Sequence, residues 1–118
     1  FLPTIYRSIM EDKPIPLYGD GNQIREWIWV EDNARLIATL MFKEIGIWNV
    51  GSGDTWANKQ IIERIGKITQ KEIKFENVQD RLGHDRRYTI NTNKLELKLG
   101  TYKLTTKSLL KYLKEMYG

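Results

Sequence analysis

The chain has 118 residues, 41% of them apolar, a formal net charge of +4, one histidine and no cysteine. The length suits one domain with one core and excludes a cofactor domain plus a substrate domain, and the residue counts exclude disulfides, thiolate metal sites and multi-histidine sites. The positive net charge favours an anionic partner. Acidic residues are interspersed among the basic ones, so a nucleic-acid-binding surface is only a minor alternative.

Residues 1–10 predict a short amphipathic helix, because their apolar side chains recur at helical spacing. Pro3 is tolerated in the first turn of such a helix. The chain begins with Phe1 and is already helical in pattern there, so we expect it to be part of something longer. It contains neither a charged-then-apolar leader nor a long apolar run, from which we expect no signal peptide, no membrane span and a cytoplasmic location.

An edge hairpin is predicted next. The prolines in residues 14–16 exclude a central strand but allow an extended edge segment at 15–18. Residues 19–22, Gly-Asp-Gly-Asn, are a turn signal, and residues 23–30 alternate as a strand with large side chains on both faces. Arg25 then lies on a strand, where the pleat fixes its direction. The alternative is a surface arginine paired with a neighbouring glutamate.

Two helices with a glycine turn between them follow. Asp32 suits the start of the first helix. The predicted core-facing stripe of that helix is Ala34, Ile37, Ala38 and Met41. Residues 47–50 predict a short strand, residues 51–54 a glycine turn, and residues 57–68 a second amphipathic helix. Such a turn before a helix can cradle a phosphate, but its glycine spacing matches neither a dinucleotide fingerprint nor a P-loop, so a tight connection is the alternative. Asn58 suits either capping or ligand contact.

Residues 72–78 alternate as a strand that leads into the most charged stretch, Asp80 to Tyr88, which holds three arginines, two aspartates and the sole histidine. Arginine forms paired, charge-assisted hydrogen bonds to phosphate and keeps its proton. Gly83 allows backbone that other residues resist, and His84 can donate to a ligand oxygen. We therefore predict an anion site. The alternative is a solvated loop whose arginines and aspartates pair with each other.

The C-terminal region is ambiguous at first. The leucines of residues 92–99 alternate with charges as in a strand, whereas Asn91 or Thr92 could cap a helix that a glycine ends. A last helix is predicted to start at Thr105 or Thr106. Its buried face would comprise Leu109, Leu110, Leu113, Met116 and Tyr117.

Four stretches together resemble the C-terminal, nucleotide-sugar-binding part of the extended short-chain dehydrogenase/reductases, and among them the dTDP-glucose 4,6-dehydratases. These are Pro16–Trp27, Val30–Ala34, Trp48–Gly53 with Asn58, and Asp80–Tyr88. The Gly-Asp-Gly-x-Gln-x-Arg stretch is similar to many epimerases and decarboxylases of this superfamily, whereas Asp-Arg-x-Gly-His-Asp-x-Arg-Tyr points to the 4,6-dehydratases. The departures are mild. They are Leu82 for a usual proline, Glu26 for a frequent aspartate, and Tyr102–Leu104 for a common Trp-x-Pro.

The resemblance implies an α/β fold, with residues 1–118 as a small C-terminal substrate-binding lobe and the N-terminal Rossmann domain absent. Arg25 and Arg81 would hold the diphosphate of a nucleotide sugar, and Asn58 would hydrogen-bond to the same region. His84 would lie near a phosphate or the ribose, and Pro16 to Tyr18 would line the nucleobase.

The same resemblance implies what this chain lacks. The family keeps its NAD-binding glycine motif, its Tyr-x-x-x-Lys pair and its acid/base residues in the N-terminal part, and none of these is found in this sequence. The chain would therefore carry no catalytic residue, no cofactor site and no metal site, with NAD bound by an N-terminal domain in the same or a separate chain. The whole enzyme would oxidise C4 of the hexose, eliminate water across C5 and C6, and return the hydride to C6.

The implied partners are a nucleotide-diphosphate sugar and the NAD-binding domain, without nucleic acid or membrane. In the family, a strand at Trp48–Gly51 joins the sheet of that domain, so the isolated chain would be marginally stable or would form a homodimer through the exposed edge. A non-catalytic nucleotide-sugar-binding module is the alternative function, as is the C-terminal part of another nucleotide-sugar epimerase or decarboxylase.

Overall fold

The computed structural model describes residues 1–100 and 104–118. Its elements, in chain order, are α1 Leu2–Met10, β1 Ile15–Tyr18, β2 Ile24–Glu26, α2 Val30–Lys43, β3 Thr55–Ala57, α3 Asn58–Thr69, β4 Phe75–Val78, β5 Arg87–Tyr88, α4 Asn93–Leu99 and α5 Leu109–Tyr117. The predicted α/β class is confirmed. The family departure noted at Tyr102 and Lys103 lies outside the described residues.

Two small sheets bring distant parts of the chain together. β1 pairs in parallel with β4. β2 lies between β3, which is antiparallel to it, and β5, which is parallel, so that Arg25 has Trp56 on one side and Tyr88 on the other. The second sheet thus holds Arg25 beside the charged stretch at 80–88.

The larger core lies where α1, β1, α3 and α5 meet. Its buried residues are Ile5, Ile15, Leu17, Ile61, Ile62, Ile65, Leu109 and Leu113. The predicted helices at 1–10 and 57–68 are confirmed, and the latter buries its isoleucine face as expected. Each fully buried branched side chain contributes about 1.5–3 kcal/mol, so this core firmly holds β1 and the start of α3, which border the site described below.

A second core is small, with Leu36, Leu40 and Leu95 buried between α2 and α4. The predicted stripe of α2 is therefore wrong, because the helix buries the next row of side chains instead. The predicted stripe faces solvent, since no described residue covers it. We call four exposed apolar side chains on α2 and just after it the α2 apolar surface; they are Val30, Ile37, Met41 and Ile45, which are 67%, 42%, 74% and 97% exposed.

The predicted hairpin is also wrong. β1 pairs with β4 rather than with β2, and β2 covers only Ile24–Glu26 of the predicted 23–30. Residues 47–50, predicted as a strand, form none, because no described strand lies beside them. β3 and β5 were not predicted, since strands of three and two residues are too short to leave a periodic signal.

The C-terminal ambiguity resolves as a helix, α4, with Leu95 buried and Leu97 exposed. α5 begins after Ser108, whose hydroxyl accepts a hydrogen bond from the backbone N–H of Lys111. The prediction that Thr105 or Thr106 starts this helix is wrong, because both threonines are engaged elsewhere.

Thr105 and Thr106 bind the carboxylate of Asp32, which is buried near the start of α2. Asp32 also accepts the backbone N–H of Thr106 at 2.7 Å and a bond from Arg35 at 3.0 Å. Asp32 was predicted to cap α2, but the cap position is Trp29. The carboxylate instead joins α2 to the segment before α5.

The molecule is flat. Its principal extents are 48 × 35 × 18 Å and its radius of gyration is 16.6 Å, whereas a compact domain of this length has a radius of about 13–14 Å. No helix of the described residues is long and apolar enough to cross a membrane.

Candidate functional site

One cleft of about 550 Å³ gathers the residues that the resemblance implied. Its lining includes Pro16, Tyr18, Arg25, Asn58, Arg81 and His84, together with Phe1, Thr4, Glu26, Trp27 and Tyr88. The first six come from β1, β2, α3 and the 80–88 loop, which are far apart in sequence. That these six bind a ligand stays a prediction, although the fold does bring them to one cleft.

Arg25 is held in one position on β2. Its Nη1 donates to the carbonyl of Ile24 at 2.8 Å, and its Nη2 donates to His84 at 2.9 Å and to the carbonyl of Asp85 at 3.0 Å. Its guanidinium lies 4.5 Å from the ring centre of Tyr88. These bonds use three of the five N–H donors of a guanidinium, which leaves two donors and the full charge for a ligand.

Arg81 is held loosely by comparison. Its guanidinium is exposed and lies 5.7 Å from the ring centre of Tyr18. Among the described residues it has no carboxylate partner, unlike Arg86, which pairs with Asp20 at 3.3 Å. The partner of Arg86 lies in the 19–22 turn, so among the described residues neither Arg81 nor Arg86 is paired with an aspartate of the 80–88 loop, as the alternative required.

Asn58 is the first residue of α3, where free backbone N–H groups would favour an anion. The N–H of Asn58 donates to the carbonyl of Gln23, and the N–H of Lys59 donates to that of Gly21. The start of α3 is thus engaged by the 21–23 loop. What Asn58 presents to the cleft is its half-buried side chain.

The Gly51–Gly53 turn does not serve as a phosphate cradle. Its backbone N–H groups at Ser52 and Gly53 donate to one carboxylate oxygen of Glu26, at 2.8 and 2.9 Å, and the other oxygen accepts the N–H of Ile90 at 3.1 Å. A Cβ on Gly51 would lie 2.3 Å from the Glu26 carboxylate, so only glycine leaves room for it. An internal carboxylate fills the turn, and the turn does not fit a dinucleotide phosphate.

The sequence pattern did not indicate the roles of Glu26, Tyr88 and Gln23. Tyr88 supports the guanidinium of Arg25, and its hydroxyl donates to the carboxylate of Asp85, which raises the pKa of Tyr88. Gln23 is buried and donates to Asp80 at 3.0 Å. The sequence did contain a signal for Gln23. It lies two residues before Arg25, and side chains two residues apart in an extended segment point to the same face, so Gln23 could have been expected near the site of Arg25.

Comparisons with known proteins show which sequences and folds this chain is similar to. Residues 1–51 match the model of the NAD dependent epimerase/dehydratase family. Over 115 residues the chain is 34% identical to the dTDP-glucose 4,6-dehydratase of Salmonella typhimurium, covering 89% of this chain and 32% of that protein. The crystal structure of the dTDP-glucose 4,6-dehydratase of Bacillus anthracis in complex with NAD superposes with a TM-score of 0.84 at 31% identity, covering 97% of this chain and 36% of that one.

These matches confirm the predicted resemblance to the extended short-chain dehydrogenase/reductases. A second structure of the family, the dTDP-glucose 4,6-dehydratase DesIV of Streptomyces venezuelae with NAD bound, also superposes with a TM-score of 0.84, at 27% identity over 97% of this chain. The chain spans about a third of the length of the curated relatives that it matches. The predicted relationship to nucleotide-sugar dehydratases is therefore confirmed for the part of the family fold that this chain represents.

Proposed function

We propose that this chain is the substrate-binding portion of a nucleotide-sugar 4,6-dehydratase and that its cleft holds the nucleotide diphosphate. The observation that carries the proposal is the meeting of Arg25 and Arg81 at one cleft, the first fixed by hydrogen bonds and the second without a carboxylate partner among the described residues. Two guanidinium groups match the two phosphates of a diphosphate in charge and in hydrogen-bond geometry.

The remaining lining residues suit the rest of a nucleotide sugar. Pro16 and Tyr18 on β1 offer an apolar and an aromatic surface for a base, and Asn58 offers an amide that can donate to a phosphate or sugar oxygen. The preference for thymidine follows from the relatives alone, which are dTDP-glucose 4,6-dehydratases. By the same reasoning the product of the whole enzyme would be dTDP-4-keto-6-deoxyglucose.

The hydride chemistry belongs to NAD in the relatives, and we assign no step of it to these residues. The Gly51–Gly53 turn holds the Glu26 carboxylate, and the cleft is assigned to the substrate. In this proposal an NAD-binding domain, in the same or a separate chain, supplies the cofactor and the catalytic residues. This chain supplies the binding energy and the orientation of the substrate.

Calorimetric titration of the purified chain with dTDP tests the proposal, with UDP and a short oligonucleotide as controls. We expect binding of dTDP in the micromolar to millimolar range, weaker binding of UDP, and no binding of the oligonucleotide. Oligonucleotide binding with a steep salt dependence would replace the proposal by nucleic-acid binding. An absence of dTDP binding at millimolar concentration would contradict a preformed diphosphate site in this chain.

A further inference from the structure

The sole histidine of the chain lies between an aspartate and the fixed arginine of the cleft. Nδ1 of His84 is 2.5 Å from Oδ1 of Asp80, and Nε2 is 2.9 Å from Nη2 of Arg25. The His84 side chain is only 9% exposed. Each ring nitrogen of His84 therefore has a hydrogen-bond partner within the protein.

The direction of these hydrogen bonds follows from the groups themselves. A guanidinium can only donate, so Nε2 of His84 must accept from Arg25. The ring proton then resides on Nδ1, and Nδ1 donates to Asp80.

Asp80 is itself held from two further sides. Its Oδ1 accepts the backbone N–H of Arg81 at 2.9 Å, and its Oδ2 accepts from the side chain of Gln23 at 3.0 Å. The hydrogen bond from His84 lowers the pKa of Asp80, burial opposes this, and the bonds from Arg81 and Gln23 lower it further. A buried amide, an ionised carboxylate, an imidazole and a guanidinium thus form one hydrogen-bonded chain.

We propose that His84, held by Asp80, is a positioning residue that fixes Arg25 for the diphosphate. This inference rests on the proposed function of Arg25. A neutral imidazole is well suited to the role, because it accepts a hydrogen bond without cancelling the positive charge that the phosphate needs, as a carboxylate partner would. A side chain that is already fixed also loses less conformational freedom when the ligand binds.

The first test needs no ligand. Because the chain has a single histidine, long-range proton–nitrogen NMR spectra report its ring without assignment. We expect a protonated Nδ1 and an unprotonated Nε2, with the Nε2 signal shifted in Arg25→Ala and unchanged in the control Arg86→Ala. A protonated Nε2 in the neutral ring, or an Nε2 signal indifferent to Arg25→Ala, would overturn the proposal.

The second test is a double-mutant cycle on dTDP binding by calorimetry. His84→Leu should weaken binding about threefold to tenfold, and should weaken it no further when Arg25 is already alanine. His84→Gln, whose side-chain oxygen can still accept from Arg25, should recover most of the loss. Thermal melting of each variant separates a folding defect from a binding defect.

The outcomes distinguish the two proposals. Additive losses from Arg25→Ala and His84→Leu would mean that His84 binds the ligand independently, which would overturn this inference and leave the proposed function intact. If the unmodified chain does not bind dTDP, the proposed function fails, and the positioning role fails with it.

Discussion

Arg25 and Arg81 present their charges to the cleft in different ways. Arg25 is fixed by three hydrogen bonds and by the ring of Tyr88. Arg81 is exposed, and its guanidinium lies beside the ring of Tyr18 without a carboxylate partner among the described residues. In the proposed function, Arg25 would therefore provide a preformed contact, whereas Arg81 would close on the ligand after it arrives.

Arg81→Ala should reduce the free energy of dTDP binding by about 1.5–3 kcal/mol, the value of a hydrogen bond to a charged group. This corresponds to a rise in Kd of roughly tenfold to a hundredfold, measurable by calorimetry. The matched control is Arg86→Ala in the same loop, whose charge is paired with Asp20 and which should leave Kd unchanged. An unchanged Kd in Arg81→Ala would remove this arginine from the site.

At the scale of elements, Asp32 joins α2 to the segment before α5. Burial raises the pKa of this carboxyl, but the hydrogen bonds from Thr106, Arg35 and Thr105 outweigh it and lower the pKa to about 2, from an ordinary value of 3.8. A lowered pKa in the folded state means that the ionised carboxylate stabilises the fold above pH 4. That stabilisation is lost as the pH falls from about 4 towards 2.

Acid should therefore weaken the fold through Asp32, by about 2 kcal/mol between pH 4 and pH 2. In Asp32→Asn this loss should be missing, while the variant should already be less stable than the original chain at pH 6. Urea unfolding at several pH values measures both effects. Glu72→Gln, which removes an exposed acid, should keep the acid-dependent loss, and an equal loss in Asp32→Asn would contradict this role.

The elements that could be predicted from sequence are those whose pattern repeats. α1 and α3 each have several turns of apolar spacing, and the charged 80–88 loop stands out by composition. The resemblance added the six site residues, which the fold brings to one cleft.

The remaining features depend on contacts that sequence spacing does not contain. β1 pairs with β4, whose residues lie about 60 positions further along the chain, so the local turn at 19–22 misdirected the hairpin prediction. For α2, the apolar row that looked core-facing is exposed, because the helix turns Leu36 and Leu40 towards α4 instead. Glu26 and Asp32 each bind backbone N–H groups from distant segments, and nothing near them in sequence indicates those partners.

At the scale of the whole molecule, two features concern how the chain associates with other protein surfaces. They are its flat shape and the α2 apolar surface. The radius of gyration exceeds that of a compact domain of this length, and the four residues of the α2 apolar surface are exposed. We propose that the NAD-binding domain of the proposed function covers this side. Without it, contiguous exposed apolar residues favour association of copies of the chain.

We therefore expect the isolated chain to dimerise in a concentration-dependent way or to melt with low cooperativity. The double variant Ile37→Glu, Met41→Lys should shift sedimentation equilibrium to the monomer, because both side chains are exposed in the chain itself. The control Leu82→Lys, a fully exposed apolar residue on the 80–88 loop, should leave the association unchanged. A stable monomer with an ordinary cooperative transition in the unmodified chain would contradict this expectation.

The Glu26 carboxylate in the Gly51–Gly53 turn has a consequence for stoichiometry. That turn offers two backbone N–H groups to an anion, but its occupant is tethered to the same chain. A tethered carboxylate competes with a free anion at an effective concentration in the millimolar range or above. The chain therefore fills this turn itself, and in the proposed function a diphosphate would be directed to the arginine-lined cleft, at one ligand per chain.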